Sequence, residues 1–182
     1  MFTKEYWMSS VSKLKSTKYL TIMALTIALR CVIGNLYIPV SENLHLSVTF
    51  LIVAVEAIIV GPVAGMVCGA VADIVGFMLV PAGTFFPGYT LTAMAGDLTY
   101  ALFLYRQKIT LPRIIGAKLV TNYIVNVLMG SLWSSILYSK GYYYYFTKSL
   151  VKNTLYLPFQ IVMLVVVLKA VMPILRKRRL VE

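Results

Sequence analysis

Apolar residues in this chain fall into six long blocks, at 20–38, 47–60, 63–80, 88–105, 113–138 and 149–172. Short breaks rich in proline, glycine or charge separate them. A bilayer core of ~30 Å needs about 20 apolar helical residues, and most of the blocks approach or exceed that length. The pattern predicts six membrane-spanning helices. The second is the shortest, closed by Gly61 and Pro62. Lys4, Lys13, Lys15 and Lys18 lead into a first block too long for the apolar part of a cleavable signal, so it is expected to remain as a span.

Composition strengthens this picture. The sequence is 60% hydrophobic, its mean hydropathy is +0.84, and only 13% of its 182 residues are charged. A soluble domain of this length needs far more polar surface. The expectation is an all-α membrane protein. It forms a single integral membrane domain over 1–182, a six-helix bundle with a basic segment at 1–18 and a basic tail at 173–182.

The net charge of +11 does not point to nucleic acid, because the basic residues are placed otherwise. They gather in the N-terminal lysines, in Arg106, Lys108 and Arg113, and in Arg176, Lys177, Arg178 and Arg179. With six spans all three groups fall on one side, and the positive-inside rule assigns both termini and the 106–113 connection to the cytoplasm. Anionic headgroups of membrane lipids are the expected partners, and the C-terminal cluster also suits a cytoplasmic protein. The opposite face carries chiefly Glu42, Lys140 and Lys148.

The breaks on that opposite face carry aromatic rings. "PAGTFFPGYT", residues 81–90, sets Phe85, Phe86 and Tyr89 on a stiff Pro/Gly backbone. Two other outer connections are 39–46 and the aromatic run at 140–146. Tyr142–Tyr145 fit either an interfacial belt or a wall of the same site.

Polar side chains inside spans need partners or a cavity. Arg30, Glu56, Asp73 and Asp97 lie about seven to nine residues from the outer ends, roughly 10–13 Å deep and in one layer. Arg30 either pairs with Asp73 or Asp97 in a buried salt bridge or faces a ligand. On the fifth helix Lys118, Asn122, Asn126 and Trp133 share one α-helical face, and on the sixth Asn153, Tyr156 and Gln160 do the same. Two such faces opposite each other predict a cavity lined by amides and rings near the outer surface, or else interhelical hydrogen bonding. Lys118 is expected to snorkel toward the cytoplasmic headgroups.

Small residues form a second pattern: Ala24 and Ala28 in the first span, Gly65 and Gly69 in the third. At about 100° per residue, Arg30 stands roughly 240° from Ala24 and 200° from Ala28. If Arg30 looks inward, the two alanines look outward, where a partner helix can dock. Other chemistry is not signalled. No phosphate-binding loop occurs, no nucleophile–base set suggests an enzyme, and no cofactor is implied. Cys31, Cys68 and the single histidine, His45, lack metal-ligand spacing.

These features together carry a family resemblance. Six spans in about 180 residues, the A-x-x-x-A of the first helix, "GPVAG…GAVADIVGFMLVPAG" and "FFPGYTLTA" resemble a substrate-binding S component of an energy-coupling factor vitamin transporter. The last run is most similar to the folate-specific branch. The resemblance implies a bacterial cytoplasmic membrane protein that captures a vitamin outside the cell. Its implied partners are the transmembrane coupling protein EcfT, docking at Ala24 and Ala28, and two ATP-hydrolysing subunits. A folate ligand offers a pterin edge, a benzoyl ring and an anionic glutamate. For the edge the candidates are Asp73, Asn122, Asn126, Asn153 and Gln160, and for the rings Phe85, Phe86, Tyr89 and Trp133, with Tyr156 on the same face as Gln160. Arg30 is the candidate clamp for the carboxylates. Thiamine, a pyrimidine precursor or riboflavin remain alternative ligands, and a membrane scaffold without ligand is the alternative class.

Overall fold

The computed structural model describes residues 3–35, 38–41, 44–81, 83–138 and 141–181. Glu42 and Lys140 lie outside the described residues, as does the side chain of His45. The described chain is helical apart from one small hairpin. Helix α1 (Lys4–Lys13) precedes α2 (Thr17–Asn35), then strands β1 (Ile38–Ser41) and β2 (Leu44–Leu46) pair antiparallel, Ile38 opposite Leu46. There follow α3 (Thr49–Val60), α4 (Pro62–Leu79) and α5 (Pro87–Leu104). One continuous helix then runs through α6 (Leu111–Val120), a π-helical stretch (Thr121–Met129) and α7 (Gly130–Leu137). Helix α8 (Tyr142–Lys177) ends the bundle.

Local chemistry sets most of these boundaries. Pro39 disfavours helical backbone at Ile38, so α2 stops short of the expected end of the first span and the chain turns into β1. Proline opens α4, α5 and α6 in the first turn, where its missing N–H is no loss. Gly61, at φ 84°, breaks α3 from α4, and a β-carbon there would meet the Tyr105 ring at 2.7 Å. Among the described residues four helices are long and apolar enough to cross a membrane: Thr17–Gly34, Pro62–Leu79, Leu111–Leu137 and Tyr142–Lys177. Helix α3 is shorter, and α5 is diluted by Gly88, Thr90, Thr92, Gly96, Asp97 and Thr99.

Two elements depart from expectation. The tyrosine run expected as a connection is helical: Tyr142–Phe146 form the first turns of α8, whose 36 residues reach ~54 Å, well beyond a bilayer core. Within the basic N-terminal segment, residues 4–13 form a helix docked on the bundle, which the apolar blocks did not signal. Ser10 Oγ donates to the Val60 carbonyl at 2.9 Å and accepts from the N–H groups of Val63 and Ala64 at 3.0 Å, bridging the α3–α4 break. Tyr6 Oη donates to the Ala101 carbonyl at 2.9 Å, and Lys13 Nζ to the Ile59 carbonyl at 2.5 Å. Burial, with the neighbouring Tyr105 second, pushes the Tyr6 phenol up to about 12.

The apolar core fills the half of the bundle nearer the two termini, where Ile58, Val60, Leu104, Tyr105, Leu168 and Leu175 pack with α1. The other half, toward the hairpin and the 81–86 connection, is left open.

Candidate binding cavity

Helices α4 and α5 approach closely because α4 is glycine-faced. A β-carbon on Gly69 would collide with the Asp97 carboxylate and stand 3.0 Å from the Ala93 carbonyl. Each helix then turns one regular stripe toward the open half. Gly69, Ala72, Asp73, Gly76, Phe77 and Val80 recur at i, i+3, i+4, i+7, i+8 and i+11 on α4 and its C-cap, and Tyr89, Thr92, Ala93, Gly96, Asp97 and Tyr100 repeat that spacing on α5. With α2, α3, the π-helical stretch and Gln160 of α8 they enclose a cavity of about 650 Å³.

Its depth is charged. Arg30 Nη1 donates to Asp97 Oδ2 at 2.9 Å and Nη2 bonds Oδ1, while Nε lies 3.3 Å from Glu56 Oε2. Arg30, Glu56 and Asp97 are all buried. The guanidinium is therefore held bidentately by the protein itself, which corrects its expected use as a free clamp for ligand carboxylates. Of the two pairings open to it, the structure makes the one with Asp97. Asp73 stands apart, accepting from Thr90 Oγ1 at 2.7 Å and lining the cavity.

Lys118 overturns a second expectation. It does not snorkel: it is 1% exposed, lines the cavity, donates to Tyr100 Oη at 3.1 Å and sits 4.1 Å over the Phe50 ring. The snorkelling expectation treated it as the near end of a span. In the bundle Tyr100 and Phe50 hold its ammonium inside instead. Among the described residues no carboxylate pairs with it.

The remaining candidates divide. Tyr89, Asn126 and Gln160 line the cavity with Arg30 and Asp73. Asn122 is buried behind, its Nδ2 donating to Gln160 Oε1 at 2.8 Å, which leaves the Gln160 amide N–H groups for other partners. Trp133 also stands behind the wall, donating to Thr92 Oγ1 at 3.0 Å and packing 5.6 Å from Phe86, which in turn meets Tyr89. Phe85 is 41% exposed and rests on Phe77 at 5.2 Å. Asn153 bonds back to Ser149 in its own helix, and Tyr156 packs beside Phe159; neither lines the cavity.

The shared face expected for Lys118, Asn122, Asn126 and Trp133 fails for a defined reason. The π-helical stretch bonds i to i+5 and so adds a residue per turn, rotating later side chains away from the α-helical register. Phe77, Thr92 and Phe50 are lining residues that sequence reading missed. The signal for the first two was available in the periodic stripes of α4 and α5.

A helical membrane bundle with a charged, ring-walled cavity at one end is built to hold a small molecule. Residues 18–173 match the family model of the ECF transporter, substrate-specific component, and the chain belongs to that family. It is a binding subunit of a transporter and not an enzyme. Among similar proteins is the folate transporter FolT of Clostridium novyi (strain NT), 28% identical over 151 residues, covering 83% of this chain and 88% of that protein. The folate transporter FolT of Leuconostoc mesenteroides subsp. mesenteroides is 26% identical over 151 residues, covering 80% of this chain and 81% of its own. A crystal structure of FolT bound with folic acid superposes with a TM-score of 0.75 at 29% identity, over 82% of this chain and 91% of that one. On the helix that the resemblance assigns to partner contact, Ala24 and Ala28 are exposed while Arg30 is buried.

Proposed function

We propose that this chain captures folate from outside a bacterial cell for ATP-driven uptake. The carrying observation is the cavity: about 650 Å³ falls inside the roughly 300–1,000 Å³ of small-molecule sites, and charged groups at its depth meet aromatic walls above. Likeness to a FolT that binds folic acid supports the ligand. Asp73, Asn126 and Gln160 offer a carboxylate and amides to the pterin edge, and Tyr89 and Phe77 offer rings, with Phe86 and Trp133 backing them. Lys118 takes over the cationic role from Arg30, donating to a ligand carbonyl or carboxylate.

In this reading the chain crosses the cytoplasmic membrane six times with both termini inside, and the cavity opens outward. Helices α3 and α5 complete the six although they are shorter or less apolar than the rest. The exposed Ala24 and Ala28 meet the coupling protein EcfT, and two separate ATPase subunits supply the energy.

Folate, thiamine and riboflavin titrated against the purified chain, read by tryptophan fluorescence, test the ligand. Trp133 touches Phe86 beside the cavity, whereas Trp7 belongs to α1 at the far end. Saturable quenching by folate alone is expected. Flat titrations with all three vitamins, or quenching by one of the other two, would remove the folate reading.

A further inference from the structure

We infer that the end of the bundle bearing the termini holds a specific site for one anionic phospholipid, headgroup and acyl chain each with its own compartment. The inference does not rest on the folate reading. A cavity of about 480 Å³ lies between α1, the chain after α5 and the end of α8. Lys13, Arg106, Arg176 and Arg179 line it together with Ser12 and Ser16, and among the described residues no acidic side chain is in its walls. A second cavity of about 610 Å³ runs between α6 and α8, walled mainly by Ile109, Leu111, Ile114, Val165, Leu168 and Pro173, with Lys169 as a further basic residue in its lining. The two share Met172 and Arg176. A basic, hydroxyl-rich chamber continuous with an apolar groove is the shape and polarity of a phosphate-bearing headgroup and its chain.

The charge is more than the fold requires. Helix α8 ends in a hydrogen-bonded C-terminal turn, with Leu180 N–H on the Leu175 carbonyl and Arg179 N–H on that of Arg176, both at 3.0 Å. Its left-handed position, where glycine is usual, is Arg179 at φ 51°. Arg106 stands just past α5 at the same φ, and among the described residues these two are the only non-glycine residues with positive φ. Both line the basic chamber. Capping alone accounts for part of this, since each helix C-terminus carries about half a negative charge. The end of α8 then offsets roughly half a charge of the pair Arg176 and Arg179, and Lys13 is already committed to the Ile59 carbonyl. Neither Arg176 nor Arg179 has a carboxylate partner among the described residues. A phosphodiester supplies the missing anion, and arginine suits it through bidentate donation.

The test uses the full chain in detergent, with bound lipid counted by native mass spectrometry and thermal stability followed on adding phosphatidylglycerol, phosphatidylcholine or inorganic phosphate. Arg176→Gln with Arg179→Gln removes two lining charges. Lys177→Gln with Arg178→Gln removes two neighbouring charges that do not line the chamber. One retained phosphatidylglycerol, preferred over phosphatidylcholine, is expected for the wild type and for the second double variant, with binding at least about tenfold weaker in the first. Equal weakening in both double variants would reduce the effect to diffuse surface charge and overturn the site. Equal stabilisation by phosphatidylcholine, or by inorganic phosphate alone, would overturn the lipid assignment.

Discussion

Two cations in the cavity look alike in sequence, yet their surroundings set them different tasks. Arg30 is locked to Asp97 and touches Glu56, so replacing it leaves two buried carboxylates without compensation. Breaking such a pair typically costs about 3–5 kcal/mol. Arg30→Ala and Asp97→Ala are therefore expected to lose folded protein first, seen as a large drop in melting temperature and yield. A variant that melts like the wild type but binds no folate would return Arg30 to the role of ligand clamp. Lys118→Met tests the other cation. It strands only the Tyr100 hydroxyl, a loss of about 1–3 kcal/mol, and leaves no carboxylate exposed to an apolar interior. Folate affinity should fall at least about tenfold while the protein still melts cooperatively, since a lost charged hydrogen bond is worth about 1.5–3 kcal/mol. Unchanged affinity would make Lys118 a structural residue.

At the scale of elements, glycines decide where helices touch and where the cavity stays open. Gly69 has Asp97 and the Ala93 backbone against it, so Gly69→Val should force α4 and α5 apart and abolish a folded yield. Gly76 and Gly96 also line the cavity, but a β-carbon on either meets nothing within 4 Å. Gly76→Ala is expected to melt within about 1 kcal/mol of the wild type, while Gly76→Phe projects into the cavity and should block folate binding in a protein that still folds. Circular dichroism melts and folate titration on the three variants separate these outcomes; a Gly76→Phe protein with full affinity would move the site elsewhere. The elements themselves were readable because proline and glycine punctuate them: Pro62, Pro87 and Pro112 open helices, and Gly61 closes one. The polar layer of Arg30, Glu56 and Asp97 followed from counting residues inward from the ends of the blocks. What escaped sequence reading depends on winding and docking. The π-helical stretch has the same apolar spacing over a few residues as an α-helix, so Asn122 and Trp133 were expected on a face they do not share with Lys118. Tyr142–Phe146 read as an interfacial loop because an aromatic run carries no period, although α8 simply continues through it.

For the whole molecule, α1 acts as a bracket that ties α3, α4 and α5 together at one end. Four polar side chains hold it: Tyr6 on Ala101, Ser9 on Tyr105, Ser10 on the α3–α4 break, and Lys13 on Ile59. Its docking should fail in a defined pH window. The Tyr6 phenol normally ionises near 10.0, and in the docked state it is raised to about 12, first by burial and second by Tyr105. The folded state thus holds this proton more tightly than the undocked state. The stability contributed is full below pH 10, declines above it, and is gone once pH passes through about 12. Two pKa units set an upper bound of roughly 2–3 kcal/mol on the docking stability lost across this window. Trp7 lies 5.8 Å from Tyr6 and reports the event, so a Trp133→Phe background leaves it as the only tryptophan of the two in the chain. Its emission should shift to the red between pH 10 and 12 in that background. Adding Tyr6→Phe removes the ionisation and should flatten the shift, while losing about 1 kcal/mol at every pH for the missing hydrogen bond. A red shift of the same size in both proteins would show that the alkaline release does not depend on the Tyr6 phenol.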